Sequence, residues 1–82
     1  MGSIKKPEGR MSMPLGIAPL GKEMTIVNMV VEDKLRKHFE NLGILKGGVI
    51  TSISNNTGDI IIKVKGSRVA INRGIAMKIF VE

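Results

Sequence analysis

His38 is the only histidine in the chain, and there is no cysteine. A divalent transition-metal site of the facial kind asks for about two histidines and a carboxylate. Glu32, Asp33 and Glu40 lie close to His38 in sequence, but one imidazole does not complete such a set within a single chain. Only a weak site shared between chains is left open, and no metal ligand is assigned. His38 also falls on the apolar stripe of a short helix, where a packed or boundary histidine is the simpler reading. Without cysteine there are no disulfides, zinc fingers, iron–sulfur clusters or thiolate nucleophiles. With a single histidine there is no Ser–His–Asp set, few general bases and no expected catalytic residue.

Two further spacings imitate chemistry. Gly16-Ile17-Ala18-Pro19-Leu20-Gly21-Lys22-Glu23 nearly spells a phosphate-binding loop. The residue after the lysine must be Ser or Thr to hold Mg²⁺, and Glu23 would repel phosphate instead. The segment also leads into a strand rather than a helix, so it reads as a structural turn. Met11-Ser12-Met13 has a spacing that soft Cu(I) can use. Alternative start sites and core filling explain the methionines better. No cofactor is expected.

What remains is binding chemistry. Lys63, Lys65 and Arg68 gather at one hairpin, with Arg73 and Lys78 following. They can be a solvated face that blunts edge pairing, or a docking surface for an acidic patch. Ile61 and Phe80 have the wrong parity for the core. They are either covered by the helix and entry segment or exposed as an apolar contact, with Phe80 set between Lys78 and Glu82. The candidate partner-binding set is therefore Ile61, Lys63, Lys65, Arg68, Lys78 and Phe80.

The elements that must carry these residues are short. Residues 1–12 read as a flexible leader without apolar periodicity, and 13–82 as one domain. Pro14, Gly16, Pro19 and Gly21 punctuate an extended entry. The β-branched run Met24 to Val31 predicts a strand whose inward face its pattern does not settle. Asp33 is placed as an N-cap. Leu35, His38, Phe39 and Leu42 form one helical stripe, Arg36 and Glu40 pair on the wet side, and Gly43 ends the helix. Val49 to Ser54 forms a second strand, followed by the turn cluster Asn55-Asn56-Thr57-Gly58. Asp59 to Lys65 alternates, with Ile60, Ile62 and Val64 inward and Ile61, Lys63 and Lys65 outward. Gly66-Ser67 predicts a type II′ hairpin. Val69 and Ile71 point inward on the next strand, and a turn near Arg73-Gly74 leads to a last strand with Met77, Ile79 and Val81 on one face. The fold class is mainly β: a small SH3-like barrel of about five strands, with one short helix after the first strand.

The bulk properties agree with this reading. The chain has 82 residues, 43% of them hydrophobic, and a mean hydropathy of +0.14. That is too apolar for disorder and too interrupted by charge for a membrane span. With no recognisable signal peptide, the chain reads as soluble and cytoplasmic. The net charge of +6 suits nucleic acid, acidic lipid or an acidic protein. Phe39 and Phe80 are the only aromatics, which weighs against binding single strands by base stacking.

Met13-Pro14-Leu15, Ala18-Pro19-Leu20-Gly21-Lys22, Leu42-Gly43-Ile44, the stretch Lys63 to Ile71 and Ala76-Met77-Lys78-Ile79 stand in an order that resembles the FeoA family. The resemblance runs from Met13 to Val81. It implies an SH3-like fold, also found as the C-terminal module of metal-dependent repressors, and an association with transition metals at the level of the family. It further implies a cytoplasmic regulator or adaptor of FeoB, the membrane protein that moves Fe²⁺ and carries a GTPase domain. The expected chain is a monomer or weak dimer that reaches the membrane only through FeoB and binds no nucleic acid. The alternative is a small nucleic-acid-binding or repressor-associated barrel, which the charge favours and the missing helix-turn-helix pattern opposes.

Overall fold

In the computed structural model, which describes residues 12–56 and 58–82, the chain forms six strands and two short helices. The leader, apart from Ser12, and Thr57 of the turn cluster lie outside the described residues. The strands are β1 (Met13–Pro14), β2 (Glu23–Met29), β3 (Val49–Asn55), β4 (Asp59–Val64), β5 (Ser67–Asn72) and β6 (Ile79–Val81). Helix α1 (Asp33–Asn41) follows β2, α2 (Arg73–Ala76) follows β5, and a 3-10 turn (Leu15–Ile17) follows β1. The strand order is β1-β6-β2-β3-β4-β5, with every neighbouring pair antiparallel.

β2 is shared between two pairings. Glu23 to Thr25 pair with β3, and Ile26 to Met29 pair with β6, with a register shift between Ile26 and Asn28. One extra residue in a strand reverses which side chains face inward. Met24 and Ile26 are buried before the shift and Met29 after it. The pattern of this strand is ambiguous in the sequence because the strand really does change parity. It stops at Met29, short of Val31, and leaves Val30 exposed.

β4 supplies the centre of the core. Ile60, Ile62 and Val64 are buried as the alternation predicts, together with Ile50, Ile71, Ile79 and Val81. Phe39 and Ile44 close the core from the helix side. The end of α1 explains Ile44. Gly43 adopts φ 93°, its N–H bonds the Glu40 carbonyl at 3.0 Å, and the Ile44 N–H bonds the Phe39 carbonyl at 2.9 Å. This is a Schellman motif, which brings an apolar residue back over the last turn.

Several local expectations are corrected. The N-cap is Glu32, in extended conformation, and Asp33 is the first helical residue, where its charge suits the positive helix end. His38 is exposed, because the buried stripe is carried by Leu35, Phe39 and Leu42. Arg36 donates to the Val31 carbonyl at 3.4 Å rather than pairing with Glu40. The β4–β5 turn is Lys65-Gly66, with φ of 50° and 81°, and Val64 faces Ser67 across it. Two successive positive φ values make it type I′, one residue earlier than the sequence suggested. Near Arg73 the turn is the helix α2, capped by the Asn72 side chain, which accepts the Gly74 N–H at 2.7 Å. Met77 ends that helix, exposed, instead of joining β6.

Among the described residues Ser52 is the one buried polar side chain, and its hydroxyl has no hydrogen-bond partner. An unsatisfied buried hydroxyl costs about 1–3 kcal/mol. Ser52→Ala is therefore expected to raise the unfolding free energy by about 1 kcal/mol in urea titration. Lys65→Asn, placing a residue that tolerates positive φ, is expected to add about 0.5 kcal/mol. Gly66→Ala is expected to remove about 1 kcal/mol.

Candidate functional site

The outer face of the sheet collects most of the cations foreseen from sequence. Glu23 lies opposite Thr51, Thr51 opposite Lys63, and Lys63 opposite Arg68. Directly opposed residues in antiparallel strands share a face at a spacing of about 4.8 Å. One row across β2, β3, β4 and β5 thus runs from a carboxylate to two cations. Lys65, at the hairpin tip, lies beyond Lys63. Ile61, two residues the other way along β4, is half-buried between Ser54 and Ala70. Ile61, Lys63, Lys65 and Arg68 are brought together on this face.

Lys78 and Phe80 are not part of that group. β6 is separated from β4 by β2 and β3. Phe80 is half-buried opposite Pro14 and Asn28, and Lys78 borders a small concavity of about 250 Å³ with Val31, Glu32, Leu35 and Ile75. The large apolar side chains that are exposed are others: Ile17, Leu20, Val30, Leu45, Val49 and Met77.

Beside the cationic row lies an open groove of about 630 Å³. Glu23, Thr51, Lys63, Val49 and the hairpin tip line one side, and the 43–48 loop lines the other. The loop is tied to β2 by the Gly47 N–H to the Ile26 carbonyl at 2.8 Å and the Ile26 N–H to the Gly48 carbonyl at 2.9 Å. Gly43 lets the two walls approach. A Cβ there would stand 3.0 Å from both Lys65 Cδ and Val64 Cγ1, so the Lys65 stem lies against bare backbone. Leu45 and Val49 are 37% and 49% exposed. The side chains of Lys46, Lys63 and Lys65 make no hydrogen bond or ion pair to another described residue.

Sequence reasoning overlooked Leu45, Lys46, Val49, Glu23 and Thr51. The Gly43…Gly47-Gly48 spacing marked a tight loop around Leu45-Lys46, which was the available signal. The Glu23–Thr51–Lys63 alignment depends on strand register and has no local signature.

Arg73, grouped with these cations by sequence, has a different task. Its guanidinium donates to the Gly16 carbonyl at 3.4 Å, to the Asn56 carbonyl at 3.5 Å and to the Asn55 side-chain oxygen. Asn55 in turn donates to the same Gly16 carbonyl at 3.2 Å. This joins the 3-10 turn, the end of β3 and the start of α2. A Cβ at Gly16 would press on the sulfur of the exposed Met77 side chain, which would have to shift. Among the described residues, no three His, Asp or Glu side chains gather as a metal would require, and no helix is long and apolar enough to cross a membrane.

The two kinds of cation are separable by stability. Arg73→Ala is expected to cost about 1–2 kcal/mol, since it removes the charged hydrogen bonds that join these three segments. Lys63→Ala is expected to stay within about 0.5 kcal/mol of the parent. Thermal unfolding of both variants checks this.

Known proteins share this architecture. The family model described as FeoA domain matches residues 13–82. A Methanocaldococcus jannaschii chain assigned as an Fe(2+) transport protein A is 38% identical over 69 residues, 84% of each chain. The crystal structure of an iron uptake regulatory protein (FeoA) superposes with a TM-score of 0.79 at 30% identity, covering 88% of this chain and 97% of that one. A manganese-dependent transcriptional repressor gives a TM-score of 0.75 at 16% identity, covering 85% of this chain and 40% of the repressor, a likeness of fold alone.

Proposed function

The chain belongs to the FeoA domain family, and from that premise we propose that it is a noncatalytic accessory of ferrous-iron uptake that docks on the cytoplasmic side of FeoB. Its means is binding energy: docking biases the transporter, and any GTP hydrolysis is the work of FeoB. The observation that carries the reading is the set of unpaired cations, Lys63, Lys65 and Arg68, on one hairpin face of a domain that gathers no metal-holding set among its described residues. Such a face suits an acidic protein surface, steering encounter and fixing register. A cytoplasmic location goes with this role.

The net charge of +6 and the fold shared with a repressor keep nucleic-acid binding as the second reading. Phosphate contacts would give it a steep salt dependence.

The test is a titration of ¹⁵N-labelled protein with the soluble GTPase region of FeoB and with detergent-solubilised FeoB. The expected result is a set of shifts confined to one surface that includes Lys63 and Arg68, with normal iron uptake lost when the protein is deleted. No association with either form, together with unchanged uptake, would overturn the proposal. Salt-steep binding of duplex DNA would favour the second reading.

A further inference from the structure

We propose that the groove between the 43–48 loop and the outer face of β2–β4 receives an extended, acidic segment of a protein partner, carrying an apolar side chain that sits on Leu45 and Val49. The inference rests on the adaptor reading above and assigns it a contact site. At about 630 Å³ the groove has the volume of an ordinary ligand site, but it is open, and a sheet face forms part of its lining. Its chemistry is graded. Lys63 and Lys65 stand at the β4 end and Lys46 on the loop wall, with no acidic partner among the described residues. Glu23 stands two strands away on the same row as Lys63. Three strand spacings put about 14 Å between Glu23 and Arg68, a distance that four or five extended residues cover. A segment lying along this row places carboxylates at the β4–β5 end and a neutral or basic residue at the β2 end.

The apolar contribution is local. Leu45 and Val49 are exposed side chains within a polar rim, the arrangement of an interface anchor. The site is also held in advance of binding, since the loop is bonded to β2 and the Lys65 stem packs on Gly43. A nucleic-acid strand fits less well. The lining has no aromatic ring to stack a base, and Glu23 would face phosphate.

The experiment uses the full ¹⁵N-labelled chain at low salt. The probes are acetyl-Asp-Glu-Leu-Ser-Ser-amide, its counterpart with Ser in place of Leu, and its analogue with Lys in place of Asp and Glu. The leucine-bearing acidic peptide is expected to give saturable shifts at Leu45, Lys46, Val49, Thr51 and Lys63. Its affinity is expected to fall about fivefold in Lys63→Glu and in Lys46→Glu, and to stay unchanged in Lys37→Glu on α1. The serine peptide is expected to bind more weakly and the lysine peptide not at all. Equal shifts from acidic and basic peptides, shifts on another face, or shifts that track protein self-association would overturn the proposal.

A second arm measures FeoB binding by the same variants. Loss in Lys63→Glu but not in Lys37→Glu supports the groove as the docking site. Binding that survives both Lys63→Glu and Lys46→Glu overturns the groove while leaving the adaptor reading intact. Peptide binding without any FeoB association sinks the adaptor reading instead and leaves the chemistry of the groove standing. The spectra of the variants report whether each remains folded.

Discussion

Everything in this domain depends on one strand serving two neighbours. A single small sheet cannot enclose a core; it must turn a corner. β2 does this by pairing with β3 through its first half and with β6 through its second, spending one residue at the shift. The extra residue rotates the strand so that Met29 continues the buried row begun by Met24 and Ile26. A comparable shift between Ser52 and Ser54 in β3 makes the same correction beside β4. Without these two irregularities the inner rows of the barrel would diverge, and the residues beyond each shift would turn to the opposite face.

That dependence explains which parts of the structure were legible in the sequence. β4 was plain, because Ile60, Ile62 and Val64 alternate without interruption and the strand is straight. α1 was legible for a similar reason, and Gly43 marked its end. β2 and β3 were harder. A bulge inserts a residue that periodicity counts as noise, so both faces look apolar in one strand and mixed in the other. Met77 was misplaced because a single-turn helix, Arg73–Ala76, occupies what reads as a bend. The turn at Lys65-Gly66 was offset by one because Gly suits the positive φ of several turn types, and only strand register chooses among them.

The site was legible in its charges and not in its shape. Lys63, Lys65 and Arg68 lie close in sequence because a hairpin is a local structure. Their neighbours in the groove come from β2, from β3 and from the loop after α1, and no spacing rule links those segments. Arg73 shows the opposite error. It belongs to the same run of basic residues, yet its hydrogen bonds tie neighbouring segments of the fold to one another. Charge in a sequence says where a cation stands along the chain; only its acceptors say whether the charge is available to a partner.

The pairing of β6 has a kinetic consequence. β3, β4 and β5 form a meander of adjacent strands, whose contacts close short loops and can form early. β6 instead reaches back to β2 and to the two residues of β1, across nearly the whole described chain. Loop-closure entropy makes contacts of such sequence separation slow to form. The cationic hairpin thus belongs to the part of the fold that assembles by itself, while sealing of the barrel falls to three residues, Ile79, Phe80 and Val81. Folding speed and surface chemistry are for this reason written in different strands, and one can change without disturbing the other.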